Sequence, residues 1–211
     1  YIEKGKTGRC LIYNKDSKES IVMAASPEVA SKISFKQIST KLLSNSNWCI
    51  VEGMELKNIK LWKALSQNIV KNKIPLAILC GTKFGAEKTA AFLCNLDSYS
   101  GLSKYIKLIF ANDNEASVLK KTGIDFIEYS QKKGFIFVIT HEDKGSSAFI
   151  NGKEIFEKTT PSASNFCEST GAGDVFAGAF LHKYMESMGT EQIHECLKTG
   201  NYFAQKILSV S

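Results

Sequence analysis

Ile106-Lys107-Leu108-Ile109-Phe110-Ala111-Asn112-Asp113-Asn114-Glu115 is a short apolar run that leads straight into a cluster of helix-capping residues. Its first part, Ile106 to Ala111, reads as a strand, and Asn112 to Glu115 as the start of a helix. A strand that is apolar along most of its length needs cover on both faces. Comparable runs stand on either side. Trp48 to Val51 ends at Gly53, Pro75 to Cys80 ends at Gly81, and Phe135 to Thr140 follows later. Helical patterns separate them. Ile59, Trp62, Leu65 and Ile69 recur at three- and four-residue spacing, and a second helical stretch spans about Glu87 to Leu96. Ala148-Phe149-Ile150-Asn151-Gly152 reads as a strand running into a tight Asn-Gly turn. Two long helical patterns, Val175 to Met188 and Ile193 to Val210, follow. The alternation predicts an α/β fold: a mostly parallel sheet covered by helices on both faces.

The N-terminal residues differ. Cys10 to Tyr13 and Ile21 to Met23 predict a hairpin across the polar stretch Asn14 to Ser20. Residues 1–25 are therefore expected to form part of a small β flap, or lid, and 26–211 an α/β core. The 211 residues suffice for one sizeable domain, with 44% hydrophobic and 23% charged residues. No apolar run approaches the ~20 residues of a membrane span, so no membrane partner is expected. The net charge of +6 is scattered, and no aromatic-interleaved basic stripe appears, so no nucleic-acid partner is expected either. Cysteines 10, 49, 80, 94, 167 and 196 form no C-x-x-C pair and mostly sit in apolar runs. They predict buried free thiols in a reducing compartment, the cytoplasm. His141, His182 and His194 have no cysteine at metal spacing, which argues against zinc. The start at Tyr1, without Met, is expected of a chain that is not the whole natural product.

Chemistry concentrates in Glu168-Ser169-Thr170-Gly171-Ala172-Gly173-Asp174, which runs into Val175-Phe176-Ala177-Gly178-Ala179-Phe180. Small residues just before an apolar helix expose successive backbone N–H groups at its N-terminus, where the dipole favours an anion. Asp174 then stands in the first turn, beside that anion. A carboxylate so placed can take a proton from a hydroxyl attacking phosphorus. The plainer alternative is a glycine-rich cap whose acid stabilises the helix dipole. Other glycine patterns fail on context. Gly5-Lys6-Thr7 has no preceding strand for a Walker loop. Gly81-Thr82-Lys83-Phe84-Gly85 has the wrong spacing. Gly171-Ala172-Gly173 lacks the third glycine of a dinucleotide fingerprint.

Gly171-Ala172-Gly173-Asp174 with Phe176 and Gly178 resembles the C-terminal signature D-T-x-G-A-G-D-x-F-x-G of the ribokinase-like (PfkB-type) kinases. Asn112 to Glu115 resembles the family's N-x-x-E, Thr140 to Gly145 its T-x-G-x-x-G nucleotide loop, and Thr7-Gly8 with the hairpin its lid. The blocks fall in the family's order across nearly the whole chain. Phe110-Ala111-Asn112 through Glu115-Ala116 leans toward the adenosine-kinase branch. The resemblance implies a ribokinase-like three-layer sandwich and ATP-dependent phosphorylation of a hydroxymethyl group on a sugar or nucleoside. It implies that Asp174 is the catalytic base, and that the amides of Gly171, Ala172, Gly173 and Asp174 form an anion hole. It implies that Asn112 and Glu115 hold Mg²⁺ and phosphate, largely through water, and that Thr140 and Gly145 lie along the nucleotide. Asn201, on the last helix, falls where the family often places a residue near adenine. A solvated Asn on a helix face is the alternative there.

The segment at 168–169 helps bind a monovalent cation such as K⁺ in some members. In some, the lid edge pairs with a second copy, which implies a homodimer through the lid. The sequence departs from the pattern at several places. Glu168 and Ser169 replace the leading Asp and Thr, Glu142 replaces the first glycine of T-x-G-x-x-G, and Lys18 to Ile21 stands where the lid's Arg is usual. The family's N-terminal part, which carries the acceptor-holding residues, has no counterpart in this chain. Glu142 and the 168–169 segment support a second reading, a catalytically silent relative that binds a nucleotide or metabolite in a regulatory role.

Overall fold

The structure, a computed structural model, describes residues 5–15, 19–26, 35, 38, 40–159, 171–187 and 192–208. Glu168, Ser169 and Thr170 lie outside the described residues, as does Cys167. Two sheets are formed. Strands β1 (Arg9–Lys15) and β2 (Glu19–Ser26) pair antiparallel as a two-stranded sheet of their own, with an irregularity between Leu11 and Ile12. The hairpin is as expected, and somewhat longer than the apolar residues suggest.

The second sheet has six strands: β3 (Cys49–Glu52), β4 (Leu76–Leu79), β5 (Ile106–Asn112), β6 (Ile136–Thr140), β7 (Gly145–Ile150) and β8 (Lys153–Lys158). They lie side by side in chain order. The first four are parallel, while β6–β7 and β7–β8 are antiparallel. The Asn151-Gly152 turn joins β7 to β8 with both residues at positive φ, 51° and 75°. That is the left-handed pair a two-residue hairpin of this twist requires, and Asn and Gly tolerate it best.

Helices cover both faces, as the apolar strands demand. On one face lie α2 (Ile59–Asn72), α3 (Lys83–Cys94), α4 (Asp113–Lys121) and α5 (Phe126–Lys133). Trp62, Leu65, Ile69, Phe92 and Phe126 pack there against Ile78, Ile109 and Phe137. On the other face lie α6 (Ala172–Ser187) and α7 (Ile193–Leu208). Phe176, Phe180 and Leu197 pack there against Leu108, Phe110 and Val138. Leu108 and Phe110 against Ile109 show the alternation of one strand serving two cores. A short helix, α1 (Thr40–Ser44), precedes β3. Among the described residues no helix is long and apolar enough to cross a membrane.

Local signals explain most starts and stops. The Asn58 side chain accepts from Leu61 N–H to cap α2, Thr82 from Gly85 N–H for α3, and Asp125 from Glu128 N–H for α5. The Thr82 cap starts α3 at Lys83, four residues before the apolar pattern suggests. Three expectations need correction. Ile59 is 59% exposed and belongs to no buried face, because it is the first residue of α2, where the core stripe begins only with Leu61 and Trp62. Cys94, at the end of α3, is exposed, whereas Cys80 and Cys196 are buried free thiols as expected. The third is α5, which the sequence reading passed over.

Candidate active site

The C-terminal ends of β4, β5 and β6 open on one side of the sheet, where the N-terminus of α6 meets them. Between them is a cavity of about 230 Å³. Cys80 and Gly81 line it after β4, Asn112 and Glu115 after β5, and Thr140 at the end of β6. Gly171, Gly173 and Asp174 line it from α6. Ligands in α/β sheets bind at this end of the strands. The sheet register contributes directly, because Asn112 pairs with Thr140. Two residues 28 apart in sequence thus stand side by side at the cavity mouth.

Gly171 adopts φ 87°, in the region where glycine carries no penalty, and turns the chain into α6. The first helical bond of this turn runs from Val175 N–H to Gly171 O at 3.0 Å. The amides of Gly171, Ala172, Gly173 and Asp174 therefore have no acceptor within the helix. A methyl group built on Gly173 would meet nothing within 4 Å among the described residues. The glycine here borders open space rather than a packed neighbour. Asp174 is exposed at this turn. Phe176, two residues on, is buried 2% exposed against the sheet and presses on Gly200 of α7. The aromatic residue of the motif anchors the helix, and the small residues before it present the amides.

Asn112 and Glu115 form a full capping box. Asn112 Oδ1 accepts from Glu115 N–H at 2.9 Å, and Asn112 N–H donates to Glu115 Oε2 at 3.0 Å. The helix-cap reading of these residues is therefore correct. The acid, however, is not the exposed one that a cap implies: Glu115 is 5% exposed and lines the cavity. Burial pushes its carboxyl above the usual carboxylate range. The Asn112 N–H bond opposes that shift, and the nearby charge of Asp174 adds to it. Two carboxylates lining one cavity, one of them desolvated, make a place where a cation is electrostatically favoured. Among the described residues no cluster of three His, Cys, Asp or Glu is set to hold a metal alone. A cation here would take its remaining ligands from substrate and water, as Mg²⁺ commonly does.

Cys80 forms an uncharged wall. Burial, and after it the charge of Glu115, pushes its thiol up to about 12, so it is no nucleophile.

The raised Glu115 carboxyl has a consequence for stability. Its protonated form is favoured by the fold, so its contribution is present below the unfolded value near pH ~4.3. That contribution is lost as pH rises through the higher folded value. Glu115→Gln keeps an oxygen for the Asn112 N–H and removes the charge. At pH 7, without ligand, the variant is expected to melt at or above the parent temperature, with the gap closing toward pH 4. Differential scanning calorimetry across that range checks it.

The residues expected to form a nucleotide loop divide. Thr140 lines the cavity, but Gly145 does not. Glu142, where the resemblance has glycine, takes φ 50°, a left-handed conformation that costs a non-glycine residue on the order of 1 kcal/mol. Its side chain is exposed and lies outside the cavity lining. Asn201 lies elsewhere, in a second cavity of about 390 Å³ between α7 and the end of β8. It is 8% exposed, which excludes the solvated reading. Its Oδ1 accepts from Ser146 Oγ at 3.0 Å and its Nδ2 donates to Glu157 O at 3.3 Å. His141, at an unspecified position of the expected loop, lies outside the cavity lining and bridges Asp113 and Ser147.

Comparison with known proteins adds to this geometry. The pfkB family carbohydrate kinase description matches residues 1–211. The chain belongs to that family. Among solved structures, a probable sugar kinase from Rhizobium etli is similar with a TM-score of 0.78 at 17% identity, covering 95% of this chain and 60% of its own. An adenosine kinase from Sinorhizobium meliloti gives 0.78 at 20% identity, covering 96% and 61%. An Anopheles gambiae adenosine kinase, solved with P1,P4-di(adenosine-5) tetraphosphate, gives 0.78 at 18% identity, covering 100% and 65%. At these identities the likeness shows the fold, the ribokinase-like sandwich of this pfkB member. The chain spans about 60% of the length of the first of these relatives. A search of curated proteins gives no match.

Proposed function

We propose that this pfkB member is the nucleotide-binding and catalytic portion of an ATP-dependent kinase acting on a hydroxymethyl group of a sugar or nucleoside. The observation that carries the reading is convergence. Asp174 and the N-terminal amides of α6, Asn112 of β5, Glu115 of α4 and Thr140 of β6 come from four elements and meet at one cavity. The fold alone would not place a carboxylate, an anion-binding helix end and a second, buried acid on the same 230 Å³.

In this reading Asp174 accepts the proton of the acceptor hydroxyl as its oxygen attacks the γ-phosphorus in line. The amides of Gly171 to Asp174 point at the transferred phosphoryl group and stabilise the charge that develops there. Asn112 and Glu115 would hold Mg²⁺, whose charge offsets that of the β- and γ-phosphates when bound. Thr140 borders the phosphates from the β6 side. The second cavity, beside Asn201, suits the base of the nucleotide. There Asn201 acts by fixing α7 to β7 and β8, since its amide is already committed to both. The β1–β2 sheet would close over the acceptor and exclude water, and its open edges suit pairing with a second copy. A K⁺ requirement rests on Glu168 and Ser169 and is carried by resemblance.

Glu142 motivates the silent-relative reading, because a carboxylate facing ATP phosphates would repel them. Its exposed position outside the cavity weighs against that. The experiment is titration of the full-length protein with MgATP, followed by ADP release over a panel of sugars and nucleosides. Binding together with acceptor-dependent ADP release is the expected result. Binding with no release for any acceptor would sink the kinase reading and leave the silent one.

A further inference from the structure

The ends of β5 and β6 are tied together, outside the cavity lining, by a chain of polar side chains. Asn112 and Thr140 are register partners and line the cavity. The residue that follows each strand, Asp113 at the start of α4 and His141 in the loop after β6, is not part of the cavity lining, and these two meet. The His141 Nδ1–H donates to Asp113 Oδ1 at 2.7 Å. On its other side, His141 Nε2 is hydrogen-bonded to Ser147 Oγ of β7 at 2.8 Å. Ser147, 1% exposed, donates in turn to Glu154 Oε1 of β8 at 2.8 Å. The Phe156 ring of β8 lies against the imidazole, 6.0 Å between centroids. α4, the loop after β6, β7 and β8 are thus joined around one side chain.

The loop so tied is the one with the least favourable backbone in the site. His141 N–H donates to Gly145 O at 2.8 Å and Lys144 N–H to His141 O at 2.9 Å, with Glu142 left-handed between them. A strained residue persists where its surroundings over-determine it. Here the backbone bonds fix the loop's shape, and the imidazole fixes its position relative to α4. We propose that His141 is a positioning residue for the nucleotide. By holding Asp113 and Ser147 it sets the spacing between the Asn112–Glu115 corner and Thr140, the two sides of the phosphate site. Sequence alone hides this, because His141 occupies an unspecified position of T-x-G-x-x-G and its partners are 28 and 6 residues away.

The inference rests on the kinase reading, and its test keeps the two apart. MgATP binding to the full-length protein is measured by calorimetry, independently of turnover, for the parent, His141→Ala, His141→Asn and Ser147→Ala. Asn places an amide where Nδ1 stands and keeps the Asp113 bond; Ala keeps neither. The Asp113 carboxylate is half exposed, so losing its bond to His141 is expected to weaken MgATP binding about fivefold in His141→Ala. The Asn variant is expected to recover most of that, with Ser147→Ala between. In steady state, KM for ATP rises in the same order while KM for the acceptor stays unchanged. Should His141→Ala fail to fold, the other two variants give the same ordering at matched melting temperature. MgATP binding within twofold of the parent in folded His141→Ala, or equal loss toward nucleotide and acceptor, overturns the role. A parent that binds no MgATP overturns the kinase reading itself and leaves the brace without a ligand to position.

Discussion

Asp174→Asn is expected to lower turnover by about 10²–10⁴-fold and leave MgATP affinity at or slightly above the parent's. Asn preserves the size and shape of the side chain but cannot hold a proton. If Asp174 takes the hydroxyl proton while the phosphoryl group is transferred, the loss falls on kcat, the step at which the proton moves. Ground-state binding moves the other way. The carboxylate stands where α6 presents its amides, so it repels the anion those amides attract, and neutralising it removes that repulsion. Folding is a minor term. Asp174 is exposed, and its interaction with the helix dipole is worth roughly 0.3–1 kcal/mol. Steady-state kinetics with saturating acceptor, paired with MgATP calorimetry, separates these effects. Parent-like turnover in the Asn variant would mean that the residue only caps the helix.

The parts of this site that were legible in the sequence are those built from neighbours in the chain. Asn112 and Glu115 are three apart, and the capping box that joins them is a local object. Gly171 to Asp174 is likewise contiguous, and its chemistry follows from what a helix N-terminus exposes. What escaped was decided by distant partners. An acid in the first turn of a helix reads as exposed, yet Glu115 is buried and lines the cavity together with residues after β4 and at the start of α6. The alternative of a solvated Asn201 fails because its hydrogen-bond partners, Ser146 and Glu157, lie 55 and 44 residues away in the sequence. Helix α5 is eight residues long, too short for periodicity to announce it, though its Asp125 cap and Gly134 stop are both in the sequence. The parallel strands were plain because burial on both faces leaves an apolar run whatever the register.

The final glycine of T-x-G-x-x-G separates resemblance from packing most sharply. By analogy Gly145 is small so that a nucleotide can pass, but its surroundings give another reason. It adopts φ 123° and ψ −144°, a region closed to residues with a β-carbon. A methyl group built there would stand 2.1 Å from Glu157 O and 2.8 Å from Thr159 N, both backbone atoms of the β8 end. Neither can swing aside, because β7 and β8 are paired at this point, Gly145 opposite Lys158. Gly145→Ala therefore combines backbone strain of about 1–3 kcal/mol with overpacking of similar size. A loss on the order of 3 kcal/mol or more is a large share of a typical domain's stability. The expected result is a marked drop in the denaturation midpoint and in soluble yield, with β8 and the loop most exposed to hydrogen exchange. Any fall in MgATP binding then follows from loss of folded protein. A variant with the parent's midpoint that no longer binds MgATP would show instead that the nucleotide, and not β8, is what the missing side chain makes room for.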